Sequence, residues 1–278
     1  MATVRLIPGG WGSFTFLVDG DHILRFARNA DVAAAHRREA ALLPRLAAAV
    51  SFRVPEPDFF GSWGDAGTCM GYPLIEGRAL SADDGWPALA GVLRELHAFP
   101  VDVARAMLGQ AGTVDEWRAG YASLWTDVEA TVLPELDADL ARAVTDGFAA
   151  LLAGDWDFAP TLVHRDIAPE HVLVDDSGRV VGLIDFEDAA VGDPAIDFAG
   201  VLPLLGHDRV DRLIADYGRP VDRERLRHYW WLAPLHDVRY GLTTGNRTIT
   251  ATATAELRAR LSVADPAHPA AAATDVDR

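Results

Sequence analysis

Three side chains that could transfer a phosphoryl group are spaced around one short hairpin of the sequence. Asp166 precedes a β-like run that begins at His171, and Asp185 follows the next such run, nineteen residues after Asp166. The turn between the runs, 175–178, is Asp-Asp-Ser-Gly, which favours a tight hairpin. Because a hairpin brings the ends of its strands together, we expect the three side chains to converge. A carboxylate that deprotonates a hydroxyl, beside ligands for magnesium on nucleotide phosphates, is the set that phosphoryl transfer requires.

The order of these residues resembles the catalytic loop of kinases. The tripeptide 164–166 matches the His-Arg-Asp motif, and Asp185 stands in the place of the aspartate that holds magnesium. The stretch 188–198, DAAVGDPAIDF, is similar to the aminoglycoside phosphotransferases and not to protein kinases, because no activation segment follows it. The resemblance implies that Asp166 is the catalytic base and that Asp185, with His171, binds Mg²⁺.

His171 occupies the position where most kinases have asparagine. A histidine at this position resembles the aminoglycoside 2''-phosphotransferases and the macrolide phosphotransferases. The resemblance therefore narrows the expected subfamily to these two groups of enzymes. Imidazole prefers softer metals than magnesium, but a neutral ring nitrogen can complete a coordination shell made mainly of oxygens. The alternative is that His171 is only a hydrogen-bonded residue of the hairpin.

The nucleotide is expected to lie against the first lobe. The turn 8–14 joins two predicted strands, and its residues whose backbone could approach phosphates are Gly10, Gly12 and Ser13. In a kinase-like lobe the third strand supplies a lysine that contacts phosphates and pairs with a glutamate on the next helix. The chain contains no lysine, and Arg25 with Glu39 fills these two positions. A guanidinium can bind phosphate and carboxylate together, although it is bulkier than an ammonium group.

Residues 70–77 resemble the hinge between the lobes of the same family. In that hinge the base is held by the carbonyl after the gatekeeper residue and by an amide two residues later. These groups correspond here to Pro73 and Ile75, which follow Tyr72. Proline lacks an amide hydrogen but keeps its carbonyl, so Pro73 suits this role. Backbone contacts of this kind accept adenine or guanine, and both ATP and GTP remain open as co-substrates.

The acceptor is expected to bind in the helical part of the chain. Asp188 is a candidate to contact it, whereas Asp193 and Asp197 are interpreted as structural. An acid before proline, or in the first turn of a helix, is typical of a helix start. Trp230 and Asp237 lie on a predicted C-terminal helix and are the other candidates to line the pocket. Core packing is the alternative role for the tryptophan.

The identity of the acceptor stays open between several classes. Residues 1–77 contain seven arginines and eight acids, so nearly all of the net charge of −16 belongs to the remaining chain, which favours a cationic aminoglycoside. The apolar stretch 199–205, where 2''-phosphotransferases tend to be acidic, counts against an aminoglycoside, and the likeness of 72–75, YPLI, and of 240–261 to macrolide kinases favours a macrolide. Against a macrolide, those enzymes usually have Asp-Trp where this chain has Asp-Phe at 185–186. A kinase of another sugar-like metabolite and a pseudokinase are the remaining alternatives.

The elements that must position these groups indicate an α+β fold with two lobes, similar to protein kinases. Short strands around one helix make a small β-rich N-terminal lobe, and the rest of the chain is mainly helical apart from the catalytic hairpin. The predicted boundaries are 1–72 for the nucleotide-binding lobe, 73–77 for the hinge, 78–262 for the catalytic and acceptor-binding lobe, and 263–278 for a disordered tail of low complexity.

Capping signals predict where three helices begin. Asp31 is expected to cap a helix over 32–48, and Ser81 another that extends toward His97. Thr113, with a glutamate three residues later, has the pattern of a capping box.

Composition excludes other classes of function. The residues are 50% hydrophobic and 24% charged without a long apolar run, so no membrane span is expected. The charge of −16 argues against nucleic-acid binding. Cys69 is the single cysteine, and the N-terminal sequence lacks the apolar core of a signal peptide, so we expect a cytoplasmic protein. We expect a monomer whose partners are a nucleoside triphosphate, Mg²⁺ and a small-molecule acceptor.

Overall fold

The computed structural model of the chain describes residues 3–8, 10, 12–64 and 67–264. The chain divides into two compact units, of which one contains Met1–Val114 and Phe158–Val221 and the other Asp115–Asp157 and Asp222–Arg278. A small antiparallel sheet opens the first unit and helices dominate the remainder, which confirms the predicted α+β class. Gly9 and Trp11 of the predicted glycine turn lie outside the described residues, as does the predicted disordered tail beyond Ala264.

The sheet of the first unit has five antiparallel strands. They are β1 (Val4–Ile7), β2 (Ser13–Val18), β3 (His22–Ala27), β4 (Phe59–Trp63) and β5 (Gly67–Pro73), in the order β1-β2-β3-β5-β4. Strands β2 and β3 form a hairpin, in which Val18 pairs with His22. The turn between them contains Asp19 and Gly20, which have φ angles of 51° and 84°. Glycine, and to a lesser degree aspartate, tolerates such positive φ angles better than other residues do.

The two faces of this sheet have different surroundings. One face packs against helix α1 (Ala30–Ala47): the buried side chains of Ile23, Met70 and Tyr72 contact Ala40. The other face exposes a row of large apolar side chains, namely Val4, Leu6, Phe14, Phe59 and Trp63. Because side chains alternate along a strand, Arg25 shares the covered face with Ile23. The alternation therefore directs the predicted phosphate-side cation toward α1.

The start of α1 differs from the prediction. Asn29, and not Asp31, is the N-cap residue, and its side chain accepts a hydrogen bond of 3.0 Å from the backbone N–H of Val32. Asp31 lies in the first turn, where its negative charge interacts favourably with the positive end of the helix dipole. The helix continues through Pro44 to its end at Ala47.

The predicted catalytic hairpin is present in the first unit. Its strands are β8 (Val172–Val174) and β9 (Val180–Leu183), and β6 (Arg78–Ala79) pairs with β8 to complete a three-stranded sheet. A separate antiparallel pair joins β7 (Thr161–Val163) to β10 (Ala190–Gly192). These short strands hold both ends of the loop that contains Asp166.

Four helices complete the first unit: α2 (Trp86–Leu96), α3 (Val101–Leu108), α6 (Ala195–Ala199) and α7 (Leu202–Tyr217). The predicted start of α2 is wrong, because the Ser81 hydroxyl donates to Asp84 at 2.8 Å and Gly85 precedes the first helical residue. A proline in the first turn of α2 has the fixed φ that a helix start requires. The sequence signals also missed α3.

The second unit is helical. It contains α4 (Val114–Thr131), α5 (Ala138–Ala153), α8 (Arg223–Thr244) and α9 (Arg247–Ala264). Helix α4 begins directly after Thr113, as the capping signature predicts. Gly147 of α5 lies so close to the ring of Trp231 that an added Cβ would be 2.1 Å from it, so these helices pack tightly. Within the described residues, no helix has the length and apolarity that a membrane span requires.

Replacement of Asn29 by alanine should lower the free energy of unfolding by about 1 kcal/mol, because the first turn of α1 loses its side-chain acceptor. Asp31→Ala removes only a charge near the helix end and should cost about 0.5 kcal/mol or less. Urea unfolding of both variants measures the difference. An Asp31 effect as large as the Asn29 effect would contradict the assignment of the cap.

Candidate active site

The catalytic hairpin brings three predicted side chains together. Asp166 lies in the loop after β7, His171 ends a single 3-10 turn before β8, and Asp185 follows β9. The backbone N–H of Ile184 donates to the carbonyl of His171 at 3.0 Å, so the two strand ends are in register. His171 Nδ1 lies 3.3 Å from Asp166 Oδ2, and His171 Nε2 lies 3.7 Å from Asp185 Oδ2. His171 thus stands between the two carboxylates.

The hydrogen bonds of His171 determine which of its nitrogens is a donor. Nδ1 lies 2.8 Å from the backbone carbonyl of Asp166, and a carbonyl oxygen can only accept. Nδ1 therefore carries the proton, and in the neutral ring Nε2 presents a lone pair toward Asp185. An imidazole oriented in this way by a backbone carbonyl is typical of histidines that bind cations.

The loop that contains Asp166 is held by a buried carboxylate, Asp197. Its oxygens accept hydrogen bonds from the backbone N–H groups of His164 at 2.9 Å and Arg165 at 2.7 Å. Arg165 has a φ of 72°, a conformation that costs free energy for a residue with a side chain. The charge-assisted hydrogen bonds that Asp197 accepts offset this cost. They place the residue directly before Asp166 in one conformation.

A hydrogen-bond network continues from Asp197 to His97 and from His97 to Tyr217. His97 Nε2 donates to Asp197 at 2.9 Å, and His97 Nδ1 lies 2.8 Å from the hydroxyl of Tyr217. All three side chains are buried. Asp193, by contrast, accepts a hydrogen bond of 3.0 Å from the backbone N–H of Ala195 at the start of α6. Asp193 is thus part of a helix start, whereas Asp197 supports the catalytic loop.

Arg25 is the centre of a buried charge cluster. Its Nη1 donates to both carboxylate oxygens of Glu39, at 3.0 Å and 3.1 Å. Its Nη2 donates to Asp185 at 3.0 Å and to Glu187 at 2.7 Å. The structure thus pairs Arg25 with Glu39, the partner that the kinase resemblance implies, and adds two carboxylates from the segment after β9.

Three carboxylates around one guanidinium give the cluster an excess of negative charge. Burial raises the pKa of Glu39 to about 7, although Arg25 opposes the shift. Burial likewise raises the pKa of Glu187 to about 7. Burial is the largest influence on Asp185 and alone would raise its pKa, but the charges of Arg25, His171 and His164 together with the hydrogen bond from Arg25 lower the net value. Asp185 is therefore ionised at neutral pH, and additional positive charge would stabilise the cluster.

Gly12 of the glycine turn lies beside this cluster. A Cβ added to Gly12 would meet a carboxylate oxygen of Glu187 at 2.4 Å, so only glycine permits this approach. Gly10 has a φ of 73°, a conformation that glycine adopts without strain. Ser13 is buried at the start of β2, and its hydroxyl lies 2.8 Å from His36 Nε2.

The predicted hinge residues follow the end of β5. Tyr72 is buried on the face of the sheet that also holds Arg25, and burial raises the pKa of its hydroxyl. Pro73 is exposed and pairs in register with His22, whereas Ile75 is buried. The backbone N–H of Leu74 donates to the carbonyl of Asp21 at 2.7 Å, so this strand end is tied to the β2–β3 turn. That Pro73 and Ile75 bind the base stays a prediction.

The candidate acceptor residues are divided between the two units. Asp188 lies in the first unit, three residues after Asp185, and contributes to raising the pKa of Asp166. Trp230 and Asp237 lie on α8 in the second unit. The guanidinium of Arg260 lies 5.3 Å from the ring of Trp230, which gives this tryptophan a packing role within its own unit. Acceptor contacts by these residues stay a prediction.

Sequence reasoning missed Glu187, His36 and the supporting role of Asp197. Glu187 follows Asp185 by two residues, so its place in the acidic motif was a usable signal. His36 precedes Glu39 by one helical turn, but nothing in the sequence identifies its partners. Asp197 receives its importance from His97 and from the loop before Asp166, which are distant along the chain.

Asp197→Asn should lower the free energy of unfolding by about 2 to 3 kcal/mol, because an amide offers one acceptor oxygen where the carboxylate offers two, and buried N–H groups lose their partner. Asp176→Asn is the matched control, since Asp176 is exposed in the turn of the catalytic hairpin. Chemical denaturation compares the two variants. Equal stability of both would show that Asp197 does not hold the loop.

The chain is similar to several known proteins. The model of the phosphotransferase enzyme family, APH, matches residues 3–231. Uncharacterized protein YcbJ of Bacillus subtilis (strain 168) is 29% identical over 138 residues, which are 49% of this chain and 43% of that protein. Viomycin phosphotransferase of Streptomyces vinaceus is 28% identical over 236 residues, which are 76% of this chain and 80% of that enzyme. The match thus spans less than half of YcbJ but most of the second relative.

Solved structures with the same fold include two antibiotic phosphotransferases. APH(2")-IIia, in complex with GDP and kanamycin, has a TM-score of 0.84 and 26% identity, with 94% of this chain and 93% of that chain covered. Macrolide 2'-phosphotransferase MphH from Brachybacterium faecium has a TM-score of 0.70 and 25% identity, with 92% of each chain covered. Because the family match contains the whole convergent site, the chain is a small-molecule kinase that belongs to the phosphotransferase enzyme family.

Proposed function

We propose that the chain transfers the γ-phosphoryl group of ATP or GTP to a hydroxyl of an antibiotic, and that the acceptor is an aminoglycoside. The observation that carries the proposal is the convergence of Asp166, His171 and Asp185 beside Arg25. The four side chains offer a base, two ligands for a cation and a permanent positive charge. Phosphoryl transfer depends on these groups, because its catalysis is mainly positioning and charge stabilisation.

Asp166 is the group that would accept the proton of the acceptor hydroxyl. Its side chain is 52% exposed, so an acceptor can reach the carboxylate. Partial desolvation raises its pKa, against the opposing charges of the nearby imidazoles, and a higher pKa makes the carboxylate a stronger base. The proximity of His171 Nδ1–H, at 3.3 Å from Oδ2, would orient the carboxylate during the transfer.

His171 and Asp185 fit a magnesium ion that also binds the nucleotide. The lone pair of His171 Nε2 faces Asp185 Oδ2 at 3.7 Å, and two acceptors in this arrangement are stabilised by a shared cation. In the part of the chain that the structure describes, no three His, Cys, Asp or Glu side chains are arranged to hold a metal by themselves. Phosphate and water oxygens would therefore complete the shell, as Mg²⁺ prefers. The ion would neutralise charge on the transferring phosphoryl group.

Arg25 would organise the metal side of the site and attract the phosphates. It binds Asp185 through Oδ1, which leaves Oδ2 directed at His171. Its planar fork has five donors, so it can hold Glu39 and Asp185 together, which a single ammonium group cannot do with the same geometry. The replacement of the usual lysine by arginine is thus compatible with a working kinase, while the presence of Asp166 and Asp185 opposes the pseudokinase alternative.

The choice of an aminoglycoside rests on charge and on one correction to the sequence interpretation. Nearly all of the net charge of −16 lies beyond residue 77, which would attract a cationic acceptor. The apolar stretch 199–205 counted against this acceptor, but Ala199, Val201, Leu202 and Leu205 are buried. Their apolar character therefore reflects packing of the first unit and not the polarity of a pocket. The relative that was solved with kanamycin supports the same choice.

A macrolide acceptor is the second candidate. The similarity to MphH, at 25% identity, is the observation that favours it. A hydroxyl of another sugar-like metabolite would use the same catalytic groups. Direct comparison of acceptors distinguishes these cases, because a macrolide has less positive charge than an aminoglycoside and should respond less to ionic strength.

We further propose that the protein works as a cytoplasmic monomer. The single cysteine, Cys69, is buried on β5, and a lone thiol of this kind suits a reducing compartment. The acidic net charge of −16 at neutral pH supports the proposal that nucleic acid is not a partner. Size-exclusion chromatography with light scattering measures the oligomeric state directly.

Asp166→Asn should lower kcat by about 10²- to 10⁴-fold, because the hydroxyl of the acceptor loses its base. The amide is nearly isosteric, so binding of Mg-ADP or Mg-GDP should be unchanged. Phosphoryl transfer from [γ-³²P]ATP and [γ-³²P]GTP to kanamycin, viomycin and erythromycin measures the activity. Turnover of an acceptor by the wild type that Asp166→Asn does not reduce would remove Asp166 as the base. Nucleotide binding without turnover of any acceptor would favour the pseudokinase.

Gly200→Ala should lower kcat by about 10- to 100-fold while the protein remains folded. A Cβ at this position would lie 2.0 Å from the carbonyl oxygen of Ile167, so the catalytic loop must move, and small displacements of a catalytic group have effects of this size. Gly91→Ala is the matched control, since no atom lies within 4 Å of its Cβ position in α2. The same transfer assay compares the two variants. Equal kcat values would mean that the loop position does not depend on Gly200.

A further inference from the structure

His36 is a buried polar residue for which the proposed chemistry has no use. It lies on α1 with none of its surface exposed. Its Nε2 lies 2.8 Å from the hydroxyl of Ser13 on β2, and its Nδ1 lies 3.0 Å from the hydroxyl of Thr68 on β5. Ser13 and Thr68 are buried as well. The three side chains form one continuous chain of hydrogen bonds through the interior of the first unit.

Each of these three polar side chains has a hydrogen-bond partner within the chain of hydrogen bonds. Packing of the interior alone does not require polar side chains at these positions. A buried hydroxyl or imidazole costs free energy unless it is hydrogen-bonded, and an apolar side chain of similar size would fill the same space. Burial and the charge of Arg25 lower the pKa of His36 to about 4, so the ring is neutral at pH 7. A neutral ring donates from one nitrogen and accepts at the other, and hydroxyl groups suit both roles.

His36 and Glu39 connect the same helix to both sides of the nucleotide site. They are one turn apart on α1, so their side chains are on the same face. Glu39 binds Arg25, and His36 binds Ser13. Ser13 directly follows Gly12, whose carbonyl accepts a hydrogen bond of 3.0 Å from the backbone N–H of Arg28. The helix therefore holds the phosphate-side cation and the end of the glycine turn in one arrangement.

Among the described residues, the charged groups that act on His36 are Arg25, Asp185 and Glu187. His36 Nε2 lies 3.9 Å from Glu187 Oε2, a distance too long for a hydrogen bond, whereas the Ser13 hydroxyl is within hydrogen-bond distance of the same nitrogen. Glu187 already accepts from Arg25 at 2.7 Å. Ser13 is therefore the specific partner of Nε2.

We propose that His36 is a positioning residue for the nucleotide: through the Ser13 hydroxyl it holds Gly12, the residue before β2, in the position beside the Arg25 cluster that the nucleotide phosphates require. The inference rests on the proposed function, because it assumes that the phosphates bind between Gly12 and Arg25. It adds a specific residue and a specific bond, His36 Nε2 to Ser13 Oγ, to the groups that govern nucleotide affinity. The acceptor and the proton transfer do not involve this bond.

Two amide substitutions separate the two hydrogen bonds of His36. The amide of glutamine reaches the position of Nε2, so His36→Gln keeps the bond to Ser13 and loses the bond to Thr68. The shorter amide of asparagine corresponds to Nδ1, so His36→Asn keeps Thr68 and loses Ser13. We expect His36→Asn to raise the KM for ATP or GTP about fivefold to tenfold, the equivalent of one hydrogen bond. The KM of His36→Gln for the same nucleotide should stay within about twofold of the wild-type value.

The effect should be specific to the nucleotide. The KM for the acceptor and kcat at saturating nucleotide should stay close to the wild-type values, because the bond lies on the nucleotide side. Ser13→Ala should reproduce the effect of His36→Asn, and the double variant should be no worse than either single variant, since both remove the same bond. Titration with mant-ADP and mant-GDP in the presence of Mg²⁺ measures affinity independently of turnover. Ser62→Ala, an exposed serine on β4, is the control.

Several results would overturn the inference. Equal effects of the asparagine and glutamine variants, or additive effects of Ser13→Ala and His36→Asn, would make the residue a general packing element. A lowered melting temperature with an unchanged nucleotide KM would likewise show that His36 is a general packing element. If His36→Asn does not fold, Ser13→Ala decides, and an unchanged nucleotide KM in that variant refutes the proposal. A wild type that binds no nucleotide would instead refute the proposed function itself.

Discussion

The guanidinium of Arg25 is the interaction on which the rest of the candidate site depends. It joins Glu39 on α1 to Asp185 and Glu187 after β9, although these residues are far apart along the chain. A buried guanidinium without partners would be very unfavourable, so the helix, the sheet and the catalytic hairpin must keep their relative positions within the first unit. The same bonds orient Asp185, because one of its oxygens is used by Arg25 and the other is left for His171.

The charge balance of this cluster suits the proposed role of the cluster at nucleotide phosphates. One positive group is surrounded by three carboxylates, and the raised pKa values of Glu39 and Glu187, about 7 in each case, reflect that imbalance. A divalent cation beside Asp185 would restore the balance and would bring its own attraction for the nucleotide phosphates. Arg25 therefore acts mainly as an organiser of carboxylates. This role suits the planar fork of arginine better than the single ammonium of lysine.

A second constraint acts on the backbone of the catalytic loop. Arg165 and Asp185 both have left-handed φ angles, 72° and 67°, which residues with side chains rarely adopt. Asp197 holds the first of these through its hydrogen bond to the Arg165 N–H, and Arg25 holds the side chain of the second. Both strained positions are thus stabilised by charged hydrogen bonds that are at least partly buried. Such strain is expected where a structure must present a side chain in one orientation.

The sequence by itself determined the parts of the protein that depend on neighbouring residues. The turn at 175–178 predicted the catalytic hairpin, the order of Asp166, His171 and Asp185 predicted their convergence, and the short β-like runs around one helix predicted the small sheet. These signals are local, because a turn or a capping residue acts within a few positions. Even so, local signals placed the α1 cap on Asp31 when Asn29 competes for the same role, and they missed α3.

Only the tertiary structure decided which distant groups meet. The roles of Asp197, Glu187 and His36 come from partners on other elements: Asp197 receives His97 and the loop before Asp166, and His36 connects Ser13 to Thr68. A lone histidine or aspartate looks the same in a sequence whether its side chain is exposed or buried in the fold. Its function is set by burial and by the geometry of hydrogen bonds, and these exist only once strands and helices that are far apart in the chain have packed together.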